Sequence, residues 1–199
     1  MKAFLFAILG LASFAVAAGD AVQDDAAAGK AKSALCAACH GVDGNSVIPM
    51  NPNLAGLGEP YIAAQLAAFK SGKRQNATML GMTAALSDQD MLDLAAYYAS
   101  QSPKVGAADP NLVDLGRRIY QGGRGEDGIP SCMGCHGPAG KGNPAAGYPG
   151  LSGQHAQYTV AQLQAFRSGQ RENAQMNDIA HRMNDEDMAS LASYIQGLH

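Results

Sequence analysis

Apolar residues along this chain recur with a helical period and seldom alternate. Met91, Leu92, Ala95, Ala96 and Ala99 fall on one stripe. Ser87 precedes that stripe with Asp90 three residues on, the pairing of a capping box. A helix is predicted over Asp88 to Ser100, with others over Asp24 to Leu35 and Pro60 to Lys70. The same order returns later, near Pro110 to Gln121, Ala156 to Arg167 and Asp185 to Gln196. Asp109-Pro110 reads as a capping Asp followed by proline at the first helical position.

The return of the pattern reflects a repeat in the residues themselves. Cys36-Ala37-Ala38-Cys39-His40-Gly41 comes back as Cys132-Met133-Gly134-Cys135-His136-Gly137. Tyr61, Gln65, Leu66, Phe69, Ser71 and Gly72 come back as Tyr158, Gln162, Leu163, Phe166, Ser168 and Gly169. Arg74, Asn76 and Met79 map onto Arg171, Asn173 and Met176. Two homologous modules follow, with the join at Gln101-Ser102-Pro103-Lys104-Val105-Gly106, where Pro and Gly end a helix. The expected domains are 18–105 and 106–199. The second carries a longer loop, Gln121 to Ser131.

Composition narrows the class. Val, Ile and Thr together number 17 in an Ala-rich chain of 199 residues, which disfavours an all-β fold; an all-α fold is expected. Formal net charge is -3, without the basic excess of a nucleic-acid binder. Lys2 followed by the uncharged apolar run Ala3 to Val16 reads as a secretory leader, with Ala15-Val16-Ala17 as its cleavage site. The run is shorter than the about 20 residues of a membrane-spanning helix. Residues 1–17 are therefore expected to be a signal peptide, and the mature protein to be exported to the periplasm.

Cys-x-x-Cys-His is the attachment signature of c-type haem. Cysteines three apart on a helical turn share one face, so Cys36 with Cys39, and Cys132 with Cys135, are placed to form two thioethers to one porphyrin. The adjacent His40 and His136 then sit under the iron. Structural zinc is a poorer reading, because it pairs two such motifs about 15–20 residues apart. A thioredoxin-like pair would sit in a βαβ context, and simple disulfides would leave both His unexplained.

A second axial ligand is expected from each module. Met79 and Met82 both lie in what reads as a loop, but the repeat equivalent of Met82 is Ile179, which cannot coordinate. Met79 maps onto Met176, so Met79 and Met176 are the expected sixth ligands. Met50, Met91, Met133, Met183 and Met188 are read as packing or surface residues. With both axial positions filled at both irons, no catalytic residue is assigned, and an electron carrier is expected in place of an enzyme. The competing reading, a dihaem enzyme or a subunit of a larger periplasmic oxidoreductase, would require an open or displaceable position.

Supporting roles follow from position. Pro52 and Pro149 follow their His at matching intervals and offer carbonyls to orient the rings. Tyr61, Tyr158, Tyr97 and Tyr194 are expected as aromatic core against helices and haem. Arg74, Arg171, Asn76 and Asn173 are candidates for haem propionates, for the methionine loops, or for plain solvated surface. His155 and His181 do not repeat and are expected at the surface or beside a propionate, and His199 in solvent.

These motifs resemble the class I cytochromes c twice over, and in particular the cytochrome c4 family of periplasmic dihaem cytochromes. The resemblance rests on both Cys-x-x-Cys-His-Gly motifs and on four further segments. These are Cys39 to Ser46 (CHGVDGNS), Leu86 to Asp90 (LSDQD), Gly153 to Ala156 (GQHA) and Ser193 to His199 (SYIQGLH). Met183 departs from it, standing where the first module has Leu86. The resemblance implies two cytochrome c domains related by pseudo-twofold symmetry, propionate edges facing across the interface, and His40/Met79 and His136/Met176 ligation of two covalently attached haem c groups. It also implies electron donation to a terminal oxidase of the cbb3 type, with some members held at the membrane surface.

Overall fold

The structure, a computed structural model, describes residues 24–199. The expected leader, 1–17, lies outside the described residues. Ten α-helices run in the order α1 (Ala26–Lys32), α2 (Ala34–His40), α3 (Glu59–Lys70), α4 (Ala77–Thr83), α5 (Asp88–Ala99), α6 (Val113–Gly122), α7 (Met133–His136), α8 (Ala156–Arg167), α9 (Ala174–His181) and α10 (Asp185–Gln196). Among the described residues the only β pairing is two isolated bridges, Arg124 with Ile129 and Asn143 with Tyr148. No helix among them is long and apolar enough to cross a membrane.

Each half is built alike. In the first, α1 and α3 pack on α5; in the second, α6 and α8 pack on α10. The closest approach is made at glycines. A Cβ on Gly29 would lie 1.9 Å from the Asp93 carbonyl oxygen, and one on Gly116 would lie 2.0 Å from that of Ser190. Any side chain there forces two helices apart. Gly116→Ala is therefore expected to cost about 1–3 kcal/mol even though alanine is the better helix former. Denaturant unfolding of the holoprotein measures this; an unchanged midpoint would contradict the crossing geometry.

The long central helices match expectation because their caps are strong. Ser87 accepts from the Asp90 N–H at 3.1 Å while Asp90 accepts from the Ser87 N–H at 2.8 Å. Asn184 and Asp187 repeat this box at the start of α10. Other elements depart from expectation. The helix expected over Asp24 to Leu35 begins under an Asp25 cap, breaks at Ser33 and continues as α2 to His40. The helix expected from Pro110 starts at Val113, because Asp109 holds a turn instead, accepting from the Asn111 N–H at 2.8 Å. Each half has five helices where three were expected, and Met79, Met82 and Met176 lie on α4 and α9 in place of loops.

The halves differ in how they pair the buried carboxylate under their central helix. In the first, Lys32 lies 2.7 Å from Asp90 and 2.6 Å from Asp93. The longer loop of the second half supplies Arg124 for the same task, 2.5 Å from Asp187. The Lys32 ammonium beside them holds the Asp90 and Asp93 carboxyls below the usual carboxylate range. A carboxyl depressed by folding stabilises the fold above its unfolded pKa of about 3.9, and that contribution is lost as pH falls through the folded value. Acid below about pH 4 is thus expected to weaken the α1–α5 pairing. Asp93→Asn should lower the melting temperature at pH 7 and narrow the difference between pH 7 and pH 3. An unchanged difference would contradict the assignment.

Candidate functional site

The two Cys-x-x-Cys-His segments occupy helical turns that end abruptly. Cys36, Cys39 and His40 lie on α2; Cys132 caps α7, which carries Cys135 and His136. Gly41 and Gly137 stop these helices at φ 80, a left-handed conformation open to glycine. At Gly41 a Cβ would also lie 2.3 Å from the Asn45 carbonyl oxygen. The chain therefore turns away immediately after each His, and the ring is left buried.

His40 Nδ1 lies 2.9 Å from the Pro52 carbonyl oxygen, and His136 Nδ1 lies 2.9 Å from that of Pro149. A carbonyl can only accept, so Nδ1 carries the proton in both rings. Burial lowers both imidazole pKa values, partly opposed by the same carbonyls. Each ring is thus neutral at neutral pH, with its lone pair on Nε2, the state in which imidazole binds a metal. Neither Nε2 has a hydrogen-bond partner among the described residues.

The cysteines are not joined to one another: Cys39 is exposed and the other three are half-buried. Burial pushes the Cys132 thiol up to about 11 and Cys36 in the same direction. A reactive redox pair needs a depressed thiol pKa, so this donor set fits attachment better than disulfide exchange. Cys132, Leu151 and Met176 border the core of the second half, and Cys36 and Leu54 border that of the first.

Met79 and Met176 are half-buried, each the third residue of its helix. The Asn76 side chain accepts from the Met79 N–H at 2.9 Å, and that of Asn173 from the Met176 N–H at 3.0 Å. The repeated asparagines thus fix the backbone of each methionine. Met82 is exposed on α4, and Met91, Met183 and Met188 are buried in the cores.

The repeated arginines and tyrosines have a role not expected of them. Arg74 of the first half donates to Tyr158 at 2.7 Å and Gln162 at 2.8 Å in the second. Arg171 reciprocates, donating to Tyr61 at 2.9 Å and Gln65 at 3.1 Å. Each guanidinium also lies over a ring of its own half, Phe69 at 4.6 Å and Phe166 at 4.5 Å. Tyr61 and Tyr158 therefore belong to the domain interface and not to the cores. Repeat-paired residues that complement each other across a pseudo-twofold axis are the signature of a self-complementary interface. That signal was present in the repeat. Tyr97 is core as expected, its hydroxyl donating to the Val42 carbonyl at 2.8 Å, and Tyr194 meets Tyr120 at 5.4 Å between tilted rings.

His155 is not on the open surface. It is half-buried and lies 2.9 Å from the Ser46 carbonyl of the other half. Gln154, Asn53 and Ser46 join it in a cross-domain network that no periodicity marks. His181 and His199 are exposed, in line with a surface position.

Comparison with known proteins places the fold and the family. The cytochrome c family model matches residues 26–102 and again 113–199. A cytochrome c4 of Azotobacter vinelandii is 50% identical over 208 residues, covering 98% of this chain and 97% of the relative. The crystal structure of reduced recombinant cytochrome c4 from Pseudomonas stutzeri superposes with a TM-score of 0.86 at 47% identity, covering 89% of this chain and 100% of that one. A thiosulfate dehydrogenase electron acceptor of Stutzerimonas stutzeri is 40% identical over 166 residues, covering 80% of this chain and 76% of the relative. With its duplicated attachment motif and paired, orientated imidazoles, the chain belongs to the cytochrome c4 family: two cytochrome c domains with two covalently attached haem c groups, acting as an electron carrier.

Proposed function

We propose that this chain carries electrons one per haem through the periplasm to a membrane terminal oxidase of the cbb3 type, with no substrate turnover of its own. The observation that carries the reading is the occurrence, once in each half, of a Pro-held imidazole in a Cys-x-x-Cys-His motif and of an Asn-capped methionine. Cys36 and Cys39 hold one porphyrin, and Cys132 and Cys135 the other. His40 and Met79 would ligate the first iron, and His136 and Met176 the second. Each bound haem supplies a one-electron ferric/ferrous couple. The chain's own residues would orient the ligands, the carbonyls of Pro52 and Pro149 fixing the rings and Asn76 and Asn173 the methionine backbones.

Residues 1–17 are read as the leader that exports the chain. The domains divide between Val105 and Gly106. In support, the Lys104 N–H donates back to Asn45 at 2.7 Å, while the Gly106 N–H donates forward to the Gln196 carbonyl at 3.0 Å.

The partner assignment is tested by mixing reduced holoprotein with membranes containing or lacking a cbb3 oxidase and following reoxidation. Rapid reoxidation only with the oxidase is the expected result; equal rates in both would refute it. A second reading, electron acceptor within a thiosulfate dehydrogenase system, is favoured by the Stutzerimonas relative. It expects reduction of the holoprotein by that enzyme with thiosulfate, and co-purification with it.

A further inference from the structure

The pseudo-twofold relation between the halves breaks down at one part of their interface. The arginine bonds come in reciprocal pairs, but those of Gln154 and His155 do not. Their repeat equivalents are Leu57 and Gly58, which have no polar side-chain atoms. Gln154 grips the backbone of Asn53 in the other half from both sides. Its Oε1 accepts from the Asn53 N–H at 2.9 Å, and its Nε2 donates to the Asn53 carbonyl at 2.9 Å. The Asn53 side-chain amide donates in turn to the Gly153 carbonyl at 2.9 Å. All of these groups are buried. One residue on, His155 Nε2 donates to the Ser46 carbonyl at 2.9 Å.

Both targets lead directly to His40. Asn53 follows Pro52, whose carbonyl accepts from the His40 ring. Ser46 donates through its hydroxyl to the carbonyl of Cys39, the residue before His40, at 2.7 Å. Asn53 Oδ1 closes the circuit by accepting from the Ser46 N–H at 2.8 Å. The corresponding loop of the second half is closed from within. The Gly142 N–H donates to the His136 carbonyl at 2.8 Å, and Asn143 pairs with Tyr148. The first half meets this loop only by packing, α3 lying on Pro144–Ala146 with Gly58 against Pro144; among the described residues no hydrogen bond from the first half reaches 142–149.

We infer that Gln154 and His155 are positioning residues through which the second half holds the axial imidazole of the first haem by hydrogen bonds that have no counterpart at the second. The inference rests on reading His40 as that ligand. The partner of the distal ring nitrogen sets the orientation and basicity of a ligating histidine, and through them the electron affinity of the iron. A carbonyl anchored by the opposite domain makes that affinity depend on how the domains sit together. The two irons, alike in their own ligands, are thereby made unequal, and separation of the halves breaks this hydrogen-bonded support at the first site and none at the second.

The test uses holoprotein carrying Gln154→Leu, which keeps bulk but removes both bonds, and a second variant, His155→Ala. Proton NMR of the oxidised protein separates the shifted haem methyl signals of the two sites, and Met79→Ala holoprotein assigns them. The first-site signals are expected to move and the second-site signals to stay. The electron affinity of the first site relative to the second should change about threefold or more. Tyr61→Phe, which removes a cross-domain bond from Arg171, serves as control and should not reproduce the shift. The inference is overturned if Gln154→Leu moves neither site, moves both alike, or is matched by Tyr61→Phe. Should Gln154→Leu fail to yield folded holoprotein, an unmoved first site in His155→Ala overturns it equally. Failure of the underlying ligand assignment is visible separately, as wild-type protein lacking histidine–methionine signatures at the first site.

Discussion

Met79→Ala is expected to remove the sulfur-to-iron charge-transfer absorption of the first haem and to lower its reduction potential by about 0.1–0.2 V, a fraction of the about 0.8 V that axial ligands span. The thioether stabilises the reduced iron relative to the oxidised one, so its loss favours oxidation. Alanine keeps the helix, and the Asn76 cap acts on the backbone N–H of the same residue, so α4 should persist. The variant therefore separates ligation from folding. Reduced Met79→Ala protein should also bind carbon monoxide at one haem per chain, where the unaltered protein binds none. Met176→Ala should give the same changes at the second haem. If Met79→Ala retained the full absorption band and potential, the ligand would have to be another residue. Met82 is the nearest alternative in sequence, and it is exposed.

The second large effect concerns the fold. The contiguous buried cluster of the first half is small, Ile62, Leu94, Ala95, Tyr97 and Tyr98, with Phe69 and Met91 buried beside it. That of the second is larger and includes Ile119, Tyr120, Leu163, Phe166, Met188 and Leu191. A domain of this length buries only about 60–65% of its unfolded surface, which is marginal without added apolar bulk. The covalent haem supplies that bulk. Cys36→Ser with Cys39→Ser, which prevents attachment in the first half, is expected to cost about half of the helical circular dichroism of the chain. The remainder should still melt cooperatively, because the second half keeps its core and its haem. The equivalent change at Cys132 and Cys135 should be milder in relative terms, because more of that core is protein. Native-like helicity with a single cooperative transition in the first double variant would contradict this view of the core.

Much of this architecture is legible in the amino-acid sequence. The stripes on α5 and α10 are long and begin in capping boxes, so periodicity and capping residues locate them, while α8, which has no side-chain cap, is located by its repeat of α3. The haem motifs are legible because the chemistry needs two thiols and an imidazole at fixed spacing. The carbonyls of Pro52 and Pro149 can be anticipated from interval alone. Helices α4 and α9 escape because seven or eight residues carry too little of a stripe; their Asn caps decide them instead. Pro110 misleads because Asp109 prefers its own turn. The interface is only half visible. Arg74, Tyr61 and Gln65 repeat and so hint at a reciprocal contact, whereas Gln154 and His155 have no repeat partner, and the GQHA segment that holds them marks the family without showing what they bond to.

The proposal that each half wraps one iron held by imidazole and thioether is tested most directly by a redox titration of the purified holoprotein, with haem counted per chain. Two haems and two successive one-electron steps, both at the positive potentials typical of histidine–methionine ligation, are the expected result. A colourless protein, a single haem, or a site at a strongly negative potential would contradict it.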